Sequence, residues 1–486
     1  MPLRRLNVWR LFRWLGWGLL VLLVVIPVVF ALGFLGIQEA TERQWLGKAP
    51  HHAAIDARST AAHPVALLDV GFDSLAERLK LIESARQSVE LEFFIYEIDT
   101  ASRLITQTLA RKAREGVRVR LLVDFALPVF KLAPRYIRSL EQAGVEVRYY
   151  NTAGFQRFFA AHHRTHRKLL VVDRQHAIIG GRNIADEYFD LSTHYNFLDS
   201  DLLIQGPIAS AIADSFELYW DSEWVSQPEP LVGEAPDPAD AGGVRELLSE
   251  ATKAERQLAD TLQHHAPEHT TSTCNDIQFV TDYPGSGVER RKVFNVISEL
   301  AREAQHQITV ESPYLVLRED GAAVVERVVR RGVQLRFLTN SLYSTDAFYT
   351  VASLADGLDR LQMPNLQVWA YTGEPLAATR RPPASSRWGV HGKRAVFDDD
   401  TVIVGTYNID PRSANLNSEL IVICRGNTAL ASAMKASLDA RLAQSRPLVG
   451  TPEAGGEAAL IQGASDSEVF RMRAITPLAS FLDFLM

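Results

Sequence analysis

At 486 residues the chain is longer than one compact core, so two domains or two fused halves are expected behind any targeting segment. A composition of 47% hydrophobic and 22% charged residues is that of a globular protein and excludes a disordered chain. The formal net charge of -7 gives no general polyanion-binding surface, leaving a local basic cleft as the place for an anionic ligand.

Arg4, Arg5, Arg10 and Arg13 precede an uncharged, mostly apolar run over residues 14–37, long enough to span a bilayer. The basic residues before it, with Glu39 and Glu42 after it, favour a cytoplasmic N-terminus and place the bulk of the chain on the far side. A cleaved signal peptide is the competing reading. Its nearest cleavage site, Ala31-Leu32-Gly33, lies inside an apolar run that continues to Ile37, so residues 1–45 are read as a basic N-terminus and transmembrane anchor. Residues 46–64 read as a polar linker, with His51 and His52 solvated.

Residues 65–226 alternate helix and strand. Leu75, Leu79 and Ile82 give 72–83 helical spacing, and 89–96 alternates as a strand does. Helix 104–115 stops at Gly116, strand 117–123 follows, and 137–142 and 145–150 repeat the scheme. This alternation builds an α/β sheet. Residues 274–445 restate it: 308–314 echoes 89–96, and 331–338 echoes 115–122. Between them, 227–273 is a connecting segment with one predicted helix over 244–262. Residues 446–486 form a small-residue linker and a tail, 470–486, which suits either a membrane surface or a helix docked on the domain. Cys274 and Cys424 lie in or beside strands and read as two buried thiols in preference to a disulfide; neither has metal-ligand spacing.

One pattern occurs twice with the same internal offsets. Lys168, Asp173, Gly180 and Asn183 stand two, seven, fourteen and seventeen residues after His166, and Lys393, Asp398, Gly405 and Asn408 stand likewise after His391. Period-2 geometry at the head of the apolar run Leu169-Leu170-Val171-Val172 puts His166 and Lys168 on one strand face. An ammonium that can only donate suits phosphate oxygens, and an imidazole beside it can attack phosphorus or move a proton. Asn183 and Asn408 add neutral donors for phosphate binding, and Gly180 and Gly405 allow backbone to approach a ligand. Brought face to face, two such half-sites surround one phosphodiester.

The repeat resembles the phospholipase D superfamily, whose name-giving motif is His-x-Lys-x4-Asp in two copies. The resemblance implies two duplicated half-domains, each a mixed β-sheet flanked by helices, with the active site between them. It implies a catalytic motif set of His166, Lys168, Asp173, His391, Lys393 and Asp398, the aspartates playing a structural part at the strand-ending turn. Asn408-Ile409-Asp410-Pro411-Arg412-Ser413, followed by Glu419, is similar to the family's Gly-x-x-Asn-x-Asp-x-Arg-Ser segment with its closing acid, so Glu419 is expected to orient His391. The first half lacks that segment, and Asp201, with Asp199 as rival, is expected to orient His166. His162 and His163 crowd His166 but have no matching ligands in the second half, and the superfamily's chemistry needs neither metal nor other cofactor.

Over about residues 65–445 the layout resembles bacterial cardiolipin synthases, particularly the C-type branch. That resemblance implies a phosphatidyltransferase of the bacterial inner membrane, and the arginines before the anchor favour a catalytic part on the periplasmic side. It would make cardiolipin from phosphatidylglycerol and a second phospholipid through a phosphohistidine, with His166 as nucleophile and His391 as acid and base. The alternative is phosphodiester hydrolysis, as a phospholipase or a nuclease; the missing net basicity argues against nucleic acid as a partner. With both half-sites in one chain, the sequence sets no oligomeric state.

Overall fold

The computed structural model describes residues 55–125, 140–152, 162–227, 252–267, 271–285, 291–377 and 386–482, with isolated positions 17, 18, 21, 25, 137, 269 and 379. The anchor expected over 14–37 otherwise lies outside the described residues, among which no helix is long and apolar enough to cross a membrane.

Two nine-stranded mixed sheets organise the chain. The first runs β11 (Val225–Ser226), β5 (Val145–Tyr150), β4 (Arg118–Asp124), β3 (Ser88–Phe93), β7 (Leu169–Val172), β8 (His176–Gly180), β10 (Asp201–Gln205), β2 (His63–Leu68), β12 (Thr271–Cys274). The second runs β22 (Ser445–Val449), β16 (Leu366–Tyr371), β15 (Gln334–Asn340), β14 (Gln307–Glu311), β18 (Arg394–Phe397), β19 (Thr401–Gly405), β21 (Leu420–Cys424), β13 (Ile277–Thr281), β1 (Asp56–Ser59). In each, three neighbouring strands are parallel (β3, β4, β5; β14, β15, β16) and the others join antiparallel. The duplication seen in the sequence is therefore a duplication of topology.

The helices are α1 (Gly71–Ser84), α2 (Thr100–Arg114), α3 (Ile208–Trp220), α4 (Lys253–His264), α5 (Lys292–Glu303), α6 (Glu319–Arg330), α7 (Phe348–Gly357), α8 (Pro411–Asn415), α9 (Thr428–Leu442), α10 (Gly456–Ile461) and α11 (Asp466–Leu482). Local chemistry sets their ends. Asp99 and Ser102 form a capping box at the start of α2, and Gly116, at φ 92°, follows its end. The helices and sheets stack in layers. Strand β7 shows why its sequence is apolar throughout: Leu170 and Val172 enter the outer core of the first half, while Leu169 and Val171 enter a central core shared by both sheets, α3 and α9.

Three features depart from the sequence reading. Residues 56–59, expected in a linker, form a strand on the far half's sheet, where Arg58 makes a two-bond pair with Asp276 at 2.7 and 2.6 Å. The connecting helix begins at Lys253 among the described residues. Cys274 and Cys424 form a disulfide, not two thiols, joining β12 of the first sheet to β21 of the second across a separation of 150 residues. Closing so long a loop restricts the unfolded chain, so replacing both cysteines by serine is expected to cost on the order of 2–5 kcal/mol. Thermal melts with and without reductant measure this; an unchanged midpoint contradicts it. Of the two readings for the tail, the described part is a docked helix: α11 packs on α7, with Met472 and Ala479 in the second half's core.

Candidate active site

Each motif histidine stands just after a short strand, and those strands pair between the halves. β6 (Arg164–Thr165) runs parallel to β20 (Asn417–Ser418), and β9 (Tyr195–Leu198) runs parallel to β17 (Arg387–Val390). The registers Thr165↔Ser418 and Val390↔Leu198 place the next residues side by side: His166 with Glu419, and His391 with Asp199. Backbone bonds fix this, His166 N donating to Ser418 O at 2.9 Å and His391 N to Leu198 O at 2.8 Å.

The orienting acids are therefore exchanged relative to the sequence reading. Glu419 serves His166, not His391: Nδ1 donates toward Oε1 at 3.1 Å and Oε2 at 3.0 Å, with Thr406 O at 3.1 Å. Asp199 serves His391, accepting from Nδ1 at 2.5 Å. Asp201 takes no part, because its Oδ2 accepts from Ser74 Oγ at 2.7 Å, Arg78 at 3.0 Å and Arg182 at 2.9 Å in a buried ion pair. Thr406, Ser413 and Asn417 hold the Glu419 carboxylate at 2.6, 2.8 and 3.3 Å.

All partners of His166 Nδ1 are acceptors, so that nitrogen carries the proton and Nε2 the lone pair. Burial lowers His166 to about 4, against the opposing charge of Glu419. Burial, then Lys393, lowers His391 to about 3. Both imidazoles are thus neutral at rest. Burial raises Glu419 and Asp199, yet the hydrogen bonds from His166 and His391 and the ammonium charges of Lys168 and Lys393 leave both carboxyls below their ordinary values. The lysines differ. Each donates to the carbonyl of its own histidine at 2.6 Å, but Lys393 Nζ also lies against the His391 ring, 2.9 Å from Nδ1 and 3.0 Å from Nε2, whereas His166 Nε2 makes no hydrogen bond among the described residues.

Burial lowers Lys168 to about 7 and Lys393 to about 8, the neighbouring lysine adding to the effect on Lys168. An anion binds the protonated form, so affinity holds at low pH and is lost as pH rises through these values. The inhibition constant of inorganic phosphate is expected to weaken at least ~10-fold between about pH 7 and about pH 9; a flat profile counts against the lysines as the anion cradle.

The motif aspartates hold backbone in place. Asp173 accepts from the backbone N–H of Arg86, Gln87 and Ser88, and Asp398 from those of Gln305, His306 and Gln307, each pinning the entry to β3 or β14 from a left-handed turn at φ 51° or 49°. Asn183 does not face a phosphate. Its Oδ1 accepts from Ile95 N at 3.0 Å and its Nδ2 donates to Tyr188 Oη at 2.9 Å. Asn408 keeps an open amide: its Oδ1 is buried without a hydrogen-bond partner among the described residues. Gly180 and Gly405 admit a neighbouring strand and not a ligand, since a Cβ would overlap Asp201 or Leu420. Gly181 has a further role, because a Cβ there would overlap Asp199 Oδ1. His163 packs edge-on to Trp224, and the His162 carbonyl accepts from Arg412 at 3.2 Å.

Sequence reasoning missed the cleft walls. Phe94 packs edge-on against His166 at 5.3 Å, and Phe197 and Tyr188 flank His391 at 4.6 and 5.2 Å. Tyr314 Oη donates to Asp346 at 3.1 Å, and burial raises that carboxyl against the charge of Lys393. Tyr314 was visible as the end of the repeated strand; nothing local marks Asp346. With two neutral imidazoles, two lysines and two buried acids assembled from both halves, the site suits in-line displacement at a phosphodiester.

Comparison with known proteins agrees. Residues 79–220 and 297–441 match the family described as "Cardiolipin synthase, PLD-like domain". The chain belongs to that family. It is 27% identical to cardiolipin synthase C of Escherichia coli (strain K12), over 74% of this chain and 81% of that protein, and 28% identical to cardiolipin synthase A of Pseudomonas aeruginosa (strain LESB58), over 81% and 69%. The fold is also that of phosphatidylserine synthase from Haemophilus influenzae Rd KW20, with a TM-score of 0.63 at 13% identity, covering 87% of this chain and 95% of that one. This cardiolipin synthase-like protein is an enzyme of the phosphatidyltransferase and phosphodiesterase class.

Proposed function

We propose that the chain is a membrane-anchored phosphatidyltransferase that makes cardiolipin from phosphatidylglycerol and a second phospholipid. The carrying observation is the pair of neutral imidazoles, each held at Nδ1 by the other half's carboxylate. His166 is the nucleophile, supported by its unengaged Nε2, and His391 is the acid and base. Binding of the anionic phosphodiester brings one proton from solvent to His391 Nε2, with its Nδ1–H still held by Asp199. When both lipids are phosphatidylglycerol, His166 Nε2 forms the N–P bond as the P–O bond to glycerol breaks and His391 Nε2 delivers that proton to the leaving oxygen. The second lipid's hydroxyl then gives its proton to His391 and its oxygen to phosphorus, releasing His166 and cardiolipin.

The apolar run over 14–37 supports a single-pass anchor in a bacterial inner membrane, and the arginines before it favour a periplasmic catalytic part. The Cys274–Cys424 disulfide suits that oxidising side.

Transfer beats hydrolysis only if the acceptor hydroxyl is held at an effective concentration above that of water, which pre-positioning supplies on the order of 10⁵ M. Purified protein in phosphatidylglycerol vesicles is therefore expected to yield mainly cardiolipin, with phosphatidic acid minor, by mass spectrometry of the extracted lipids. Phosphatidic acid as the dominant product at every lipid density moves the chain to the hydrolases.

A further inference from the structure

The second half contains an apolar cavity that the catalytic constellation does not use. Its volume is about 380 Å³, in the range of small-molecule sites, and it lies between α5, α6 and the outer face of the second sheet. The internal repeat shows how it arises. With Ala85 aligned to Ala304 and Gly116 to Gly332, the first half has Leu79, Ile82 and Ile105 where the second has Ser298, Ala301 and Gly321. In the first half these side chains belong to or pack on the core, and α4 roofs the groove between α1 and α2 through Leu258, Ala259 and Leu262. Glu255 of α4 bridges to Arg103 of α2 at 3.0 Å, and His265 to Asp73 of α1 at 2.6 Å. In the second half the equivalent groove is hollowed by three small residues, and no described helix packs across it in the same way.

We propose that this cavity takes one fatty acyl chain of the phospholipid substrate, a reading that rests on phosphatidyl transfer as the function. The cavity reaches down to Ile308, Phe397 and Ile403 of the sheet, so it is a hole and not a flat face. A helix about 10 Å across can cover such an opening but cannot enter it, whereas a file of methylenes can. Burial of apolar surface on both partners drives entry. The wall also includes Tyr407, Asp410 and Pro411, from the segment that carries Asn408 and the Thr406 carbonyl bonded to His166, so a chain seated there belongs to a lipid beside the reacting phosphate. Charges of both signs line the cavity, Arg291 and Arg318 with Glu319 and Asp320, so it selects the chain and not the head group.

The test uses full-length protein in vesicles of phosphatidylglycerol carrying a diazirine at the end of one acyl chain, with labelled peptides mapped after irradiation. Wild type is expected to be labelled in peptides containing Phe294, Val324 or Phe397. Gly321→Leu and Ser298→Phe, two separate fillings each checked by thermal melting, are expected to lower that label at least tenfold. They should also lower the rate on dioleoyl relative to dibutanoyl phosphatidylglycerol at least fivefold. Absence of label from those peptides in wild type, or undiminished label in the folded variants, overturns the proposal. The labelling needs no turnover. Label in the cavity without cardiolipin formation sinks the transfer reading alone, and cardiolipin formation without label in the cavity sinks the acyl site alone.

Discussion

His166→Ala is expected to lower cardiolipin formation by about 10⁴-fold or more, and His391→Ala by a comparable factor, with the double variant no worse than either single one. The two act as a unit: attack by one imidazole is useful only while the other supplies the proton. The variants separate in what they accumulate. A covalent phosphatidyl adduct, trapped by acid-free denaturation and read by intact-protein mass spectrometry, should persist in His391→Ala and be absent in His166→Ala. Normal turnover in His391→Ala removes the paired mechanism, and an adduct confined to the His166 variant exchanges the two roles.

Crossed orientation gives the second large effect. Glu419→Gln and Asp199→Asn each keep the shape of the side chain but offer an amide where the imidazole Nδ1–H needs a carboxylate, which favours the wrong tautomer. A loss of about 10³–10⁴-fold in kcat is expected for each. The pattern of adducts carries the sharper information: Asp199→Asn should behave as the His391 variant does, and Glu419→Gln as the His166 variant. Asp201→Asn should instead lower thermal stability, since it leaves Arg78 and Arg182 buried without their shared partner. If Asp201→Asn reproduced the His166 phenotype with an unchanged melt, the crossed assignment would be wrong.

The alternation of α1, β3, α2 and β4 was legible because periodicity and the glycine at 116 are local signals. The duplication was legible because offsets survive where identities drift. The exchange of acids was not, since Asp199 and Glu419 each lie close in sequence to their own half's histidine, and only the parallel pairing of β6 with β20 and β9 with β17 tells which imidazole each faces. The role of Asn183 was hidden in the same way: a buried amide between Ile95 and Tyr188 looks, in one dimension, like any ligand donor. The disulfide escaped because its cysteines sit on different sheets.

The same cross-half pairing has a consequence for how such an enzyme can change. One half alone has an imidazole without its carboxylate and would have to borrow one from an identical twin, in a two-fold pair whose histidines are interchangeable by symmetry. Any substitution there appears twice. Joining the halves in one polypeptide lifts that constraint, and the copies have drifted: Lys393 reaches its imidazole while Lys168 bonds the His166 carbonyl and faces the Phe94 ring, and Phe94 and Ile95 stand where the other half has Pro313 and Tyr314. A symmetric scaffold is thereby retained while the two histidines are free to take the different roles proposed for them.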